Sequence, residues 1–387
     1  MVARAEEACR EVLTVLPAAS PTLLADKSAL QGLSPDEARV LGRYFTLVVP
    51  PVLWSELMGD VAKALGSSTP EKRQRYRASL QAVAQRIRTF DIRLCASRTD
   101  LTLTSLVRGL PTLPMREPLT VARSGRGDGR PPSVALWDVP LRMFFDWSQG
   151  RVDPRDIEGG HEWLRQQDDW DQEAFHKRLR ADVIRRWRNP TPDELLAAID
   201  KTMMEPDSQR TMLEEDVRIS RMDRGREQRL WSRWWSVPGA QRLYPIFAPF
   251  AAHVRRVREF ANLALAHDLV TPRRTNPIDR EYLMYLPFCT VVAAEDKYLQ
   301  TLGQPLLKPD QLFMTIRHLK REAEILDGLA KEQHAGVAAG HPPPEGTRFT
   351  GDAWTMHFGP RDRWPRRVEP ERLHGLKLHP SKANRAN

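Results

Sequence analysis

Cysteine is scarce in this chain: Cys9, Cys95 and Cys289 are the only three in 387 residues, far apart and never in a Cys-x-x-Cys pair. A disulfide framework and a zinc knuckle are therefore excluded as organising devices, and a reducing, cytoplasmic setting is the expectation. Long hydrophobic runs are lacking too. The longest fall far below the ~20 apolar residues that a bilayer span needs. The N-terminus carries Glu6 and Glu7 where an export signal would hold an apolar core, so the chain reads as soluble, with no membrane among its partners. The second histidine of a zinc-protease helix is absent as well, since Arg165 stands four residues after His161-Glu162. Gly125-Arg-Gly127-Asp-Gly129 has Pro131-Pro132 where the helix of a phosphate loop would begin, so it reads as a turn.

What is present is a hydrophobic fraction of 41%, enough for a substantial core, and a formal charge of +9, which favours a polyanionic partner. Asp168-Asp169-Trp-Asp171-Gln-Glu173 reads as a solvated acidic helix face. Trp231, Trp234 and Trp235, at helical spacing, read as core or interface rather than a base-stacking platform.

Along the chain, residues 3–16 have the spacing of a short amphipathic helix, broken by Pro17 and Pro21 before the apolar Leu23-Leu24 strand. Ser34-Pro-Asp-Glu37 is a capping box with proline at the first helical position, predicting a helix from Pro35 to Tyr44, and the strand Thr46–Val49 follows at once. This strand, helix, strand order implies a parallel pair. After Pro50-Pro51 the stripe Val52, Leu53, Leu57, Val61, Leu65 is helical, and Thr69-Pro70 opens a basic helix through Arg88. From there to about Pro249 the signals are helical, including the capping box Thr191-Pro-Asp-Glu194 and a helix from Tyr244 through Leu269. Ile278–Tyr285 reads as a helix, Phe288–Ala293 as a buried strand, and Pro309-Asp310 opens a long helix to Gln333. The expected fold is α/β, a parallel sheet flanked by helices and interrupted by a mostly helical insertion. Residues 1–66 and 251–335 make the core, 67–250 the insertion, and 336–387 a basic, flexible tail, with eight Lys/Arg against three Asp/Glu between Arg361 and Asn387.

Four acids stand out in this layout. Asp26 follows an apolar strand, and Glu56 lies in the first turns of the helix after Pro50-Pro51. More than two hundred residues later, Asp279 opens a helix and Asp296 follows the Val291-Val292 strand. An open α/β sheet gathers carboxylates at one edge in this way, and hard oxygen ligands of that kind suit Mg²⁺ or Mn²⁺, which brings waters able to attack a phosphodiester. At ~6 Å and an effective dielectric near 20, each pair repels by roughly 2 to 3 kcal/mol, so such a cluster is costly without a cation. The pattern points to a metal-dependent nuclease.

These residues resemble the PIN-domain nucleases, a family of Mg²⁺- or Mn²⁺-dependent ribonucleases that includes toxins of toxin-antitoxin modules. Asp26-Lys27-Ser28 is similar to the family's strand-terminal Asp, small residue, Ser or Thr, with lysine in the middle position. Val48-Val-Pro50-Pro-Val-Leu-Trp-Ser-Glu56 is similar to its strand, proline and Glu-bearing helix, and Asp279 precedes Asp296 by the seventeen or so positions of the C-terminal pattern. Ala294 departs from the hydroxyl residue usual two positions before the last Asp. The resemblance covers residues 20–66 and 255–335. It implies an endoribonuclease with Asp26, Glu56, Asp279 and Asp296 as catalytic metal ligands, Ser28 and Glu295 supporting them, RNA as substrate, and room for a protein inhibitor. Arg273 and Arg274, just before the third acid, are candidate substrate-phosphate contacts. Each acid also has a plainer role as a helix cap or dipole partner. Two alternatives stand: a non-catalytic nucleic-acid- or protein-binding module on the same fold, and a nuclease acting on DNA.

Overall fold

Thr22–Ala25 (β2), Thr46–Val49 (β3) and Val291–Ala293 (β6) lack polar alternation, and in the computed structural model every one of their residues is buried. Such runs belong to strands covered on both faces, as in a parallel sheet with helices on either side. With β4 (Asp91–Leu94) and β7 (Leu312–Met314) at the edges, they form a five-stranded sheet of order β4-β3-β2-β6-β7 in which every pairing is parallel. A second, antiparallel pair joins β1 (Glu11–Val15) to β5 (Leu119–Arg123). The structure describes residues 11–15, 20–66, 69–109, 119–123, 143–168, 189–239, 242–273, 275–332 and 349–358, with a few isolated residues between them. The chain is α/β and mostly helical. Among the described residues, no helix is long and apolar enough to cross a membrane.

The buried threonines at the start of the central strands are satisfied within the sheet. The Thr22 hydroxyl accepts from the Thr290 N–H at 3.0 Å, and Ser20 and Thr46 hydroxyls pair at 2.9 Å. The capping boxes at Ser34 and Thr191 form as the sequence predicts, and Thr69 caps the Pro70–Ile87 helix. One continuous apolar core joins the strands to helices between Pro192 and Ala266. Within those helices the buried Arg255 guanidinium donates to Glu215 at 2.7 Å and to Asp216 at 2.9 Å, while the Tyr244 hydroxyl donates to Asp216. Trp234 is buried edge-on against Phe247 (5.0 Å between centroids), whereas Trp235 is exposed.

Four sequence expectations change. The strand β4 lies inside the stretch 67–250, so the N-terminal half of the sheet extends well past residue 66. Its Asp-Ile-Arg-Leu sequence is that of a half-exposed edge and gives no apolar run to detect. The strand β7 falls within the predicted helix from Pro309, which instead starts at Ile316, because three residues are too few for a period to register. Residues 11–15 are a strand rather than the end of a helix; residues 1–10 and the Gly125–Gly129 turn lie outside the described residues. Finally, part of the tail is built into the core. Phe349–Phe358 is a helix whose Trp354 is fully buried, with its indole N–H donating to the Tyr44 carbonyl at 3.2 Å. The Thr350 N–H donates to Glu322 at 2.7 Å. The basic residues from Arg361 on lie outside the described ones.

Candidate active site

The strand order reverses between β2 and β6: from β2 the chain builds outward to β3 and β4, and it returns on the other side as β6 and β7. Helices connecting on opposite sides leave a crevice at the carboxyl ends of those two strands, which is where open α/β sheets place their ligands. The register aligns Ala25 with Ala293, and the Asp26 N–H continues the ladder by donating to the Ala293 carbonyl at 3.0 Å. The first residue beyond β2 is therefore an acid at the mouth of the crevice.

Asp26 is held by its own helix start. As N-cap of Lys27–Gly32 it accepts from the Ala29 N–H at 2.6 Å on one oxygen and from the Ser28 hydroxyl at 2.8 Å on the other. Ser28 thus supports Asp26 as expected. Burial raises the Asp26 pKa to about 6; the two hydrogen bonds oppose the rise, and the nearby charges of Glu56 and Asp296 add to it.

Asp279 lies in the first turn of the Asn276–Leu283 helix, which is pinned from two sides. Arg98 pairs with Glu281 at 2.6 Å, and the buried His253 ring contacts the Leu283 carbonyl at 3.0 Å. Burial holds His253 neutral, with its pKa lowered to about 3, so this ring nitrogen donates. Burial followed by the charges of Asp296, Glu56 and Asp26 lifts the Asp279 pKa to about 8, against a hydrogen bond from Thr275. Asp296 caps the Lys297–Leu306 helix, accepting from the Tyr298 N–H at 2.6 Å, and its other oxygen faces Arg273 at 3.5 Å.

Glu56 sits on the Pro51–Gly66 helix, which starts where β3 ends. That helix is seated by a close crossing with Pro154–Asp168: a β carbon at Gly160 would fall 2.1 Å from the Met58 carbonyl oxygen. Glu56 accepts from the Tyr282 hydroxyl and lies 3.7 Å from the Lys27 ammonium, which also reaches Asp60 at 3.2 Å. Burial raises the Glu56 pKa, with Lys27 and Tyr282 pulling the other way. Burial lowers the Lys27 pKa, but Glu56 and Asp60 outweigh it and the net shift is upward, so the ammonium stays charged.

The structure thus brings Asp26, Glu56, Asp279 and Asp296 to one sheet edge, within electrostatic reach of one another. Glu295 is placed differently. It is exposed and accepts from the Ile316 N–H at 3.1 Å, capping the next helix instead of supporting the acids. Arg273 engages Asp296 and is half-exposed, and Arg274 lies outside the described residues. Sequence reasoning missed Asp60 and Tyr282; the four-residue spacing of Glu56 and Asp60 was the available signal for the first.

Carboxylate oxygens are the donors that Mg²⁺ or Mn²⁺ prefers, and each one engaged in a single hydrogen bond keeps lone pairs for a cation. The two raised carboxyl pKa values show acids that lack sufficient positive charge nearby. By donor type and charge the residues fit a hard divalent ion. As placed, no three Asp, Glu, His or Cys side chains among the described residues are close enough together to enclose one. Compared with protein-family models, curated proteins and solved structures, the chain gives no match.

Proposed function

We propose that this chain is a Mg²⁺- or Mn²⁺-dependent nuclease acting on RNA, with its acids on a PIN-like core and its helices between β4 and β6 as an elaboration of that core. The observation that carries the reading is the position of Asp26 and Asp296 on either side of the β2/β6 switch point, with Asp279 between elements of the same edge. Asp26, Asp279 and Asp296 would hold the ion, which when bound supplies a Lewis acid and a source of nucleophilic water. Ser28 and the Ala29 N–H fix the Asp26 carboxylate; the Tyr298 N–H fixes that of Asp296. Glu56, drawn to Lys27 and Tyr282, contributes charge and orientation to the floor of the crevice. Arg273 at the rim is placed to exchange Asp296 for a substrate phosphate. The net charge of +9 favours such a polyanion.

A second reading has its own support. Lys27 already neutralises part of the cluster, and Ala294 leaves no hydroxyl beside Asp296, as expected of a nucleic-acid- or protein-binding module that no longer cleaves. Incubation of the full chain with labelled single-stranded RNA, structured RNA and DNA, in Mg²⁺, Mn²⁺ or EDTA, separates the readings. The expected result is metal-dependent RNA cleavage that is lost with Asp26→Asn, which keeps the shape and removes the charge. Cleavage of DNA alone would move the substrate to DNA. Equal turnover by wild type in EDTA and by Asp26→Asn would assign the nuclease activity to something else, and binding without cleavage would favour the module.

A further inference from the structure

Lys27 stands where the resemblance has a small residue, and no part of the four-acid reading needs it. Its ammonium lies 3.2 Å from Asp60 and 3.7 Å from Glu56, and the side chain is only 21% exposed. Asp60 is buried one turn after Glu56 on the Pro51–Gly66 helix, so the two carboxylates share a face. Two buried, ionised carboxylates this close repel strongly, and burial magnifies the repulsion. Lys63 is no substitute for Lys27, lying 3.9 Å from Asp60 and 43% exposed. The Tyr282 hydroxyl, donating to the other Glu56 oxygen, completes the lock. Mg²⁺ demands its oxygens at about 2.0–2.1 Å in near-octahedral array. An ion drawing on Glu56 and Asp60 would therefore have to displace the ammonium from the space between them.

We infer that Lys27 is a built-in cation that keeps Glu56 and Asp60 out of metal coordination, so that the site takes one divalent ion, on Asp26, Asp279 and Asp296, and not a pair. Lys27 is thus a positioning residue, and the inference rests on the metal-site reading above. It also assigns the lysine a task that a surface residue would not have: a chain with a small residue at position 27 would offer Glu56 and Asp60 to a second ion.

Mn²⁺ titration of the chelator-stripped full chain, with free Mn²⁺ counted by electron paramagnetic resonance, tests this without any activity readout. The expected counts are one Mn²⁺ per chain for wild type and for Lys27→Arg, two for Lys27→Met, and one again when Asp60→Asn is added to Lys27→Met. Circular dichroism checks that each variant is folded. Should Lys27→Met not fold, the wild-type count decides alone: one supports the inference and two overturns it while leaving the metal site standing. One Mn²⁺ in both wild type and folded Lys27→Met also overturns it. No Mn²⁺ in wild type overturns the metal-site reading itself, and this inference with it.

Discussion

Replacing Asp279 by asparagine in metal-free protein should stabilise it, and do so more as pH rises. Asp279 has its pKa raised by burial and by its acidic neighbours from 3.8 to about 8. A carboxyl whose folded pKa is raised holds its proton more tightly in the native state than in the unfolded one. Its ionisation therefore opposes folding, with a penalty that is absent below about pH 3.8, grows through the interval, and levels off above about pH 8. At ~1.4 kcal/mol per pKa unit, the penalty is roughly 1.5 kcal/mol at pH 5 and on the order of 5 kcal/mol at pH 8. Asparagine keeps the shape and an acceptor for Thr275 and carries no such penalty. Asp26, raised to about 6, adds a smaller component of the same sign that saturates near pH 7 and is common to both proteins.

The assay is urea unfolding in EDTA at pH 5 to 8, at low ionic strength; urea is chosen because guanidinium chloride would screen the repulsion being measured. Wild type should lose on the order of 3 to 4 kcal/mol more than Asp279→Asn between pH 5 and pH 8. Adding Mg²⁺ or Mn²⁺ at pH 8 should then recover more stability in wild type than in the variant, because an ion stabilises only in proportion to its binding to the native state. Parallel pH profiles for the two proteins, or a variant less stable than wild type at pH 8, would show that Asp279 does not feel the other acids and would remove the electrostatic basis of the site.

Three further outcomes follow from single contacts. Trp354→Ala, which empties a fully buried position and frees the Tyr44 carbonyl, should cost about 3 to 5 kcal/mol in urea unfolding; a loss below about 1 kcal/mol would mean that the Phe349–Phe358 helix is not part of the core. Truncation after Phe358 removes the basic residues from Arg361 on but keeps that helix. It should leave stability unchanged while flattening the dependence of log affinity for single-stranded RNA on log salt by about 0.7 per lost phosphate contact, measured in fluorescence titrations at several salt concentrations. Glu295→Ala removes one exposed cap of the Ile316–Glu332 helix and should cost roughly 0.5 to 1.5 kcal/mol with Mn²⁺ affinity unchanged. Asp296→Ala should weaken Mn²⁺ binding, and equal effects of the two on the ion would place Glu295 in the site after all.

How much of this was legible in the chain depends on whether a residue's role is set locally or by what packs against it. The strands β2, β3 and β6 were readable because burial on both faces leaves an uninterrupted apolar run, and the acids were readable because each ends a strand or begins a helix. The edge strands β4 and β7 carry no such run, since one partner and half-exposure leave Asp91 and Arg93 free to alternate with apolar residues. Glu295 and Asp296 show the limit most clearly. They are neighbours, both acidic, both just beyond the same buried strand, and both become helix caps. Asp296 caps its own helix through the Tyr298 N–H, a local contact that the two-residue spacing permits. Glu295 caps Ile316, twenty-one residues away, which it can reach only because β7 lies beside β6 and delivers its following helix to that side. Nothing near position 295 encodes that neighbour. The strand order sends one acid to the crevice and the other away from it, and the same order, by placing the Lys27 helix start beside the Glu56 helix, puts an ammonium among the carboxylates. The acids were therefore legible one by one, while the distribution of charge among them became legible only with the sheet.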